Sequence, residues 1–258
     1  MKKLLKPIAW AIGLGMIMAA CNKNADTPAS NSNLQPDNAK QVLAYIHSLG
    51  FKSAVIREEG NAFIVEDDMV FPKNMKVPDN SKPRTEQYYT GDLVDDTRVS
   101  NIRLKVDASL SSMSAEIDTA IARWNRIDGC NIHWVKVSSS ASSWDVYMTN
   151  KALAAPPGRV TCGRGTFPSG GEAGDSIWIN KSAIANNSFE QRQRTITHEM
   201  GHNVSFTHTN AGTNDGDPVP GVGGTDSKSL MNGGQCNSGA TVFSDKDKKA
   251  AKALYPSN

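Results

Sequence analysis

Residues 197 to 208 read Thr-His-Glu-Met-Gly-His-Asn-Val-Ser-Phe-Thr-His, and His198-Glu199-x-x-His202 within them is a spacing that can do chemistry. Residues four apart on a helix lie one turn apart on the same face, about 5–6 Å between Cβ atoms, so the imidazoles of His198 and His202 can converge on one Zn²⁺. Glu199, about 100° further round the helix, is poorly placed to ligate the same ion but can reach water bound to it. Zinc brings the pKa of such water towards about 7. Glu199 is then the expected general base for attack on a polarised carbonyl, and afterwards the carrier of the proton to a leaving amine. His208 completes a three-histidine site if the helix ends and the chain turns back near Ser205. Three of the chain's five histidines fall within the eleven residues 198–208, which argues against coincidence.

A helix must hold that segment. Ser188 and Gln191 have capping-box spacing ahead of it, and Ile196, Met200 and Val204 fall on nearly the opposite face, so burying them aims the histidines outward. Upstream, Ile102 to Val106 alternates like a strand, and Met113, Ile117, Ala120, Ile121, Trp124 and Ile127 recur at helical spacing until Gly129. Ile132 to Val137, Asp145 to Met148, Arg159 to Phe167 and Ser176 to Ile179 are further strand candidates. Five strands with a helix before the metal helix predict a twisted sheet with helices packed on it. The remainder is loop-rich until a last helix whose capping box is Ser244-x-x-Asp247. His47, His133 and the serine run 138–143 are expected to be bystanders. Asp215 and Asp217 could bind Ca²⁺, but the EF-hand pattern is missing and a turn is the better reading.

Before this body lies a smaller α+β segment, residues 35–80. It has a helical pattern from Pro36 to Gly50, then Phe63-Ile64-Val65 and Met69-Val70-Phe71 flanking an acidic patch, Glu66-Asp67-Asp68. Pro72, Pro78 and Pro83 place a boundary after it, leaving residues 81–258 as the metal domain. The acidic patch is read first as a turn, because Asp so commonly occupies turns. The competing reading is a pro-segment from which Asp67 or Asp68 reaches the metal and displaces its water.

Met1 to Ala20 has Lys2, Lys3 and Lys6 ahead of a short apolar run, too short for a stable spanning helix and built like an export signal. Met18-Ala19-Ala20-Cys21 resembles the lipobox of bacterial lipoproteins, which implies acylation of Cys21 and a bilayer as partner, on the bacterial outer membrane or cell surface. The other reading is an ordinary signal cut near Ala20 and a secreted product. Residues 21–34 read as a flexible polar tether. The whole chain of 258 residues carries 28 Lys+Arg against 26 Asp+Glu; losing the three signal lysines leaves 25 against 26, so no basic excess remains for nucleic acid. Cys130, Cys162 and Cys236 allow one disulfide and one free thiol, and spacing does not choose the pair.

The run His198-Glu199-x-x-His202-x-x-Ser205-x-x-His208 resembles the metzincin clan of zinc endopeptidases, and Ser229-Leu230-Met231-Asn232 is similar to its Met-turn. Within the clan, His-Glu-Met-Gly-His followed by His208-Thr209 is most similar to the bacterial dual-action HEIGH metallopeptidase family. The resemblance implies an α+β fold with an α/β-type N-terminal subdomain. Its sheet would be twisted, five-stranded and mostly parallel with an antiparallel edge strand, followed by the active-site helix and a loop-rich C-terminal subdomain. It further implies a monomeric endopeptidase with one catalytic Zn²⁺ on His198, His202 and His208. Met231 would lie beneath the metal, and an extended protein or peptide substrate would pair with the edge strand at 159–167. Ser205 stands where the clan usually has Gly, and a left-handed Ser costs about 1–2 kcal/mol. Gly233 stands where some members carry a tyrosine ligand, so water is expected as the fourth ligand. The competing class is a non-proteolytic surface binding or adhesion lipoprotein with a structural zinc; the presence of Glu199 favours the enzyme.

Overall fold

The computed structural model describes residues 36–78, 88–210, 217–222 and 224–257. The signal, Cys21, the whole of the tether, the expected boundary near residue 80 and Asp215 lie outside these residues. No helix among the described residues is long and apolar enough to cross a membrane.

The chain opens with α1 (Pro36–Ser48), whose Val42, Tyr45 and Ile46 are buried. After β1 (Ile56–Glu59), the strands β2 (Ala62–Val65) and β3 (Met69–Pro72) form an antiparallel hairpin. Then come β4 (Tyr88–Tyr89), the short α2 (Asp96–Val99), β5 (Ile102–Val106), α3 (Ser114–Asn125), β6 (Trp134–Val137) and β7 (Val146–Asn150). The chain continues through β8 (Gly163–Thr166), β9 (Ser176–Ile179), α4 (Phe189–His202), β10 (Asp217–Pro218) and α5 (Asp245–Leu254).

Among the described residues, eight strands make the main sheet, in the order β1-β2-β3-β8-β9-β7-β5-β6. Strands β6, β5, β7 and β9 are parallel and β8 runs antiparallel to β9, which gives the expected five strands with an antiparallel member at the edge. The expectation falls short in one respect: β8 is no free edge. Strand β3 pairs with it in parallel, Met69 opposite Gly165 and Val70 opposite Thr166, and so adds three strands to the sheet. Two main-chain bonds secure the seam, from Gly165 N to Asp68 O (3.1 Å) and from Phe167 N to Val70 O (3.1 Å). Sequence could not supply that pairing, because a hydrophobic run such as Met69-Val70-Phe71 names no partner.

Alternation within the strands decides which residues meet the helices. Ile102 and Leu104 of β5, Val146 and Met148 of β7, and Ile177 and Ile179 of β9 are buried in one core with Ile117, Ala120 and Trp124 of α3 and Ile196 and Met200 of α4. Trp124 also donates its indole N–H to Thr197 O (3.1 Å), which fixes α3 against the metal helix. A second apolar cluster unites Val42, Tyr45, Ile46, Phe63 and Phe71 with Phe167, just past β8. Phe71 and Phe167 lie 4.7 Å apart by ring centroid.

The helix ends follow the sequence closely. Ser244 and Asp247 form the full capping box of α5. Ser188 caps α4 by accepting from Gln191 N, but the box expected there stays half-made: Gln191 Oε1 does not accept from Ser188 N, and its Nε2 donates to Gly239 O. The edge strand is shorter than 159–167, because β8 begins only at Gly163.

Candidate metal centre

Helix α4 presents His198 and His202 one turn apart, then ends. The chain reverses through Ser205, a buried residue with φ of +82°, and returns His208 to the same point. A non-glycine residue in this left-handed region is strained, and the surroundings hold it. Ser205 Oγ lies 2.7 Å from Thr90 Oγ1, and Thr90 N donates to Ser205 O at 3.0 Å.

The three Nε2 atoms converge: His198 is 3.2 Å from His202 and 3.3 Å from His208. Each Nδ1 is engaged outside the cluster. His198 Nδ1 lies 3.0 Å from Leu230 O, His202 Nδ1 2.7 Å from Phe206 O, and His208 Nδ1 2.7 Å from Glu66 Oε2. Donation through Nδ1 leaves the Nε2 lone pairs facing one another, an arrangement that a shared cation stabilises. Burial pushes His198 and His202 below the ordinary histidine pKa, so both are neutral, as ligands must be. His208 differs: burial opposes its charge, but the Asp68 and Glu66 carboxylates raise its pKa to about 10.

Asp68 supplies the fourth donor. Its Oδ1 is 3.2 Å from His208 Nε2 and its Oδ2 is 3.7 Å from His198 Nε2, and ligand atoms of Asp68, His198, His202 and His208 all lie within 4.8 Å of one another. One carboxylate and three imidazoles are a donor set that suits zinc. Where water was expected as the fourth donor there is a carboxylate, carried by the three-residue tip of the β2–β3 hairpin. Glu66 and Asp67 at that tip have φ of +51° and +79°, conformations that turn the chain sharply enough to aim Asp68 inward. Asp67 points elsewhere, pairing with Arg57 (2.9 Å) and Arg159 (3.0 Å). The acidic patch is therefore a turn whose third residue reaches the histidines.

Glu199 is buried beside the cluster, and its Oε2 has no hydrogen-bond partner among the described residues. Burial first, and the Asp68 charge second, hold its pKa well above the ordinary carboxylate value. Gly163 and Gly165 make room for it: a Cβ at Gly163 would sit 2.5 Å from Glu199 Oε1, and one at Gly165 would sit 2.6 Å from Glu199 O. Gly233 is constrained in the same way, since a Cβ there would lie 2.3 Å from His208 Nδ1. A bulky side chain at 233, tyrosine included, would displace the third histidine.

Met231 is buried under α4, where a Cβ at Gly201 would meet its Sδ at 2.6 Å. The turn that carries it is held by Asp247, which accepts from Leu230 N (2.8 Å) and from Ser229 Oγ while also capping α5. Leu230 O in turn orients His198 and accepts from Arg194, whose guanidinium also reaches Asn232 O (2.7 Å) and Gln235 O (2.9 Å). Sequence reading recognised Asp247 only as a cap and did not single out Glu66, Arg194 or the glycines of β8. The Gly163-Arg164-Gly165 triplet was the one available signal, since glycine in a strand marks close backbone approach.

A cavity of about 280 Å³ opens beside the cluster, bounded by Gly158–Gly163, Arg194, Glu199, Asn232 and Gln235. The Cys162–Cys236 disulfide joins two of its walls and leaves Cys130 as the free thiol, so the pairing left open by sequence is settled. Asp217 is buried at β10, paired in register with Tyr89. Another cavity, of about 520 Å³, lies among Arg98, Trp144 and Glu172 and includes none of these site residues.

Among solved structures, that of myroilysin is similar at 13% identity and a TM-score of 0.45, covering 62% of this chain and 82% of its own. No curated protein matches the chain. The family model for dual-action HEIGH metallopeptidases matches residues 64–223, a span that contains the cluster, the acidic hairpin tip and β8. This chain belongs to the dual-action HEIGH metallopeptidase family, and it is a metallopeptidase.

Proposed function

We propose that the chain is a zinc endopeptidase made in a latent form, with His198, His202 and His208 as the metal ligands of the working enzyme and Asp68 as a removable fourth. The observation that carries this reading is the convergence of three Nε2 atoms whose Nδ1 partners all lie outside the cluster. Zinc held there would supply a Lewis acid for the scissile carbonyl and acidify water at the fourth position. The chain's own residues do the rest. Glu199, with its unpartnered Oε2 directed into a site kept clear by Gly163, accepts the proton from the attacking water and hands it to the leaving amine. Strand β8 offers main-chain groups for an extended peptide, the groups that β3 now engages.

In the latent form, the β3 seam and Asp68 occupy the positions that substrate and water need. The rival reading, a structural zinc in a binding protein, draws support from the four-donor set, since closed sites are the structural kind. It gives Glu199 no task. Zinc content and chelator-sensitive cleavage of casein, measured on the full chain and its Asp68→Ala and Glu199→Ala variants, separate the two. Latency predicts weak cleavage by wild type, strong cleavage once Asp68→Ala is combined with Phe71→Ala to loosen the β3–β8 seam, and none after Glu199→Ala is added. If all three bind zinc and none cleaves, the endopeptidase reading fails.

We also propose export as a lipoprotein anchored through Cys21, on the strength of the lipobox-like sequence. Loss of radiolabelled palmitate incorporation in a Cys21→Ser variant is the expected result, and unlabelled wild-type protein would overturn it.

A further inference from the structure

Resting on the peptidase reading, we infer that Arg164 and Arg159 form an acid-binding subsite on the β8 rim of the cleft. The mature enzyme would thus prefer substrates with Glu or Asp within two residues of the cleaved bond. Arg164 projects from β8 between the two glycines that face α4, and its side chain is 2% exposed. A guanidinium that deeply buried needs an anion. Among the described residues, its ion-pair partner is Glu59, which accepts from Nη1 through both oxygens at 3.0 and 3.1 Å. Its Nε donates to Asp67 O (2.9 Å) and its Nη2 to Ala154 O (2.8 Å). Arg159, half exposed on the cavity wall, pairs with Asp67 Oδ2 at 3.0 Å.

Both carboxylates come from the β1–β3 segment, as does the Asp67 carbonyl, and Asp67 directly precedes the residue that occupies the metal position. The β1–β3 segment therefore presents carboxylates both to Arg159 on the cavity wall and to Arg164, which extends from the other face of β8. Lys151 adds positive potential at Glu59. When the segment leaves, Arg164 and Arg159 lose these anions together. A substrate that restores a carboxylate beside them gains charge-assisted bonds to a guanidinium, the geometry Arg is suited to, while a substrate with Lys there meets repulsion.

The test uses the full chain carrying Glu59→Gln, Asp67→Asn, Asp68→Ala and Phe71→Ala, which removes the three carboxylates and loosens the β3–β8 seam by deleting the ring packed on Phe167, without truncation. Quenched peptides that differ only by Glu, Gln or Lys are scanned over three positions on each side of the cleaved bond. The expected kcat/KM ratio of Glu to Gln is about tenfold or more at one position, on the order of one charged hydrogen bond, with Lys poorest. Adding Arg159→Gln, at an exposed position that tolerates change, should cut that ratio to below about threefold, and Arg164→Lys should lower it as well. A ratio near one at every position, or a preference for Lys, overturns the subsite.

Fluorescence anisotropy of the same peptides on the zinc-loaded protein gives an independent readout. Tighter binding of the Glu peptide without any cleavage would support the subsite and refute the peptidase reading. Equal binding of all peptides with normal cleavage would do the reverse.

Discussion

Replacing Ser205 tests how the third histidine is held. The residue has φ of +82° at the reversal between His202 and His208, where a non-glycine residue costs about 1–2 kcal/mol. Ser205→Gly removes that strain. It also removes the buried Oγ that lies 2.7 Å from Thr90 Oγ1, a bond worth about 0.5–1.5 kcal/mol, and frees the unfolded backbone by about 0.4–1 kcal/mol. These effects nearly cancel, so Ser205→Gly should stay within about 1 kcal/mol of wild type. Ser205→Ala keeps the strain and loses the hydroxyl, and Thr90 Oγ1 is left with Asp92 O at a marginal 3.5 Å. That variant should lose about 1–3 kcal/mol. Urea unfolding of the full chain measures both, and competition with a zinc chelator reports whether His208 is still delivered. Wild type and glycine variant should bind zinc alike, with alanine weaker. An alanine variant as stable as wild type would refute the role given to the Thr90 contact; a glycine variant more stable by over about 2 kcal/mol would show that the hydroxyl compensates nothing.

Gly163→Ala places a methyl 2.5 Å from Glu199 Oε1, so in the Asp68→Ala background peptide hydrolysis should fall by about tenfold or more, with zinc content unchanged. Asp247→Ala removes the bonds to Leu230 N, Ser229 Oγ and Ser244 N together, and chemical denaturation should report a loss of about 2–4 kcal/mol. Burial raises the Asp247 pKa above 3.8, so the folded state binds its proton more tightly than the unfolded chain does. The Asp247 contribution to stability is therefore full below about pH 4 and is lost as pH rises through the raised folded value, a slope that Asp247→Asn should remove. Replacing Cys162 and Cys236 by serine opens a link spanning 74 residues; unfolding experiments should show a loss of about 4 kcal/mol, and peptide KM should rise as the cavity wall loosens.

The geometry of the candidate site was legible where it was local. His198, Glu199 and His202 needed only helical spacing, α5 needed only its cap, and the alternation of Ile102-Arg103-Leu104 needed only a period of two. The unreadable parts are those settled by distant partners. That Asp68 rather than Asp67 meets the histidines depends on two left-handed residues at a hairpin tip, and a change of one residue in the loop would exchange their directions. That β3 closes on β8 depends on Phe71 packing against Phe167, 96 positions later by the numbering. The same distance hides Arg164, which in the sequence is one charged residue between two glycines and in the fold is a fully buried cation. The five expected strands became eight for this reason.

The seam between β3 and β8 also bears on solubility. As folded, the sheet ends at β1, where Arg57, Glu58 and Glu59 blunt the rim against another chain. Withdrawing β1–β3 would leave β8 as the rim, together with the apolar surface of Phe167 that Phe71 now covers. An exposed strand of this kind invites a second molecule to add on by the same main-chain bonds that would seat a peptide. Activation and self-association would then draw on one set of unpaired N–H and C=O groups, and a bound peptide would keep the released enzyme dispersed. On the latency reading, the hairpin that holds Asp68 at the histidines would also shield the strand it covers.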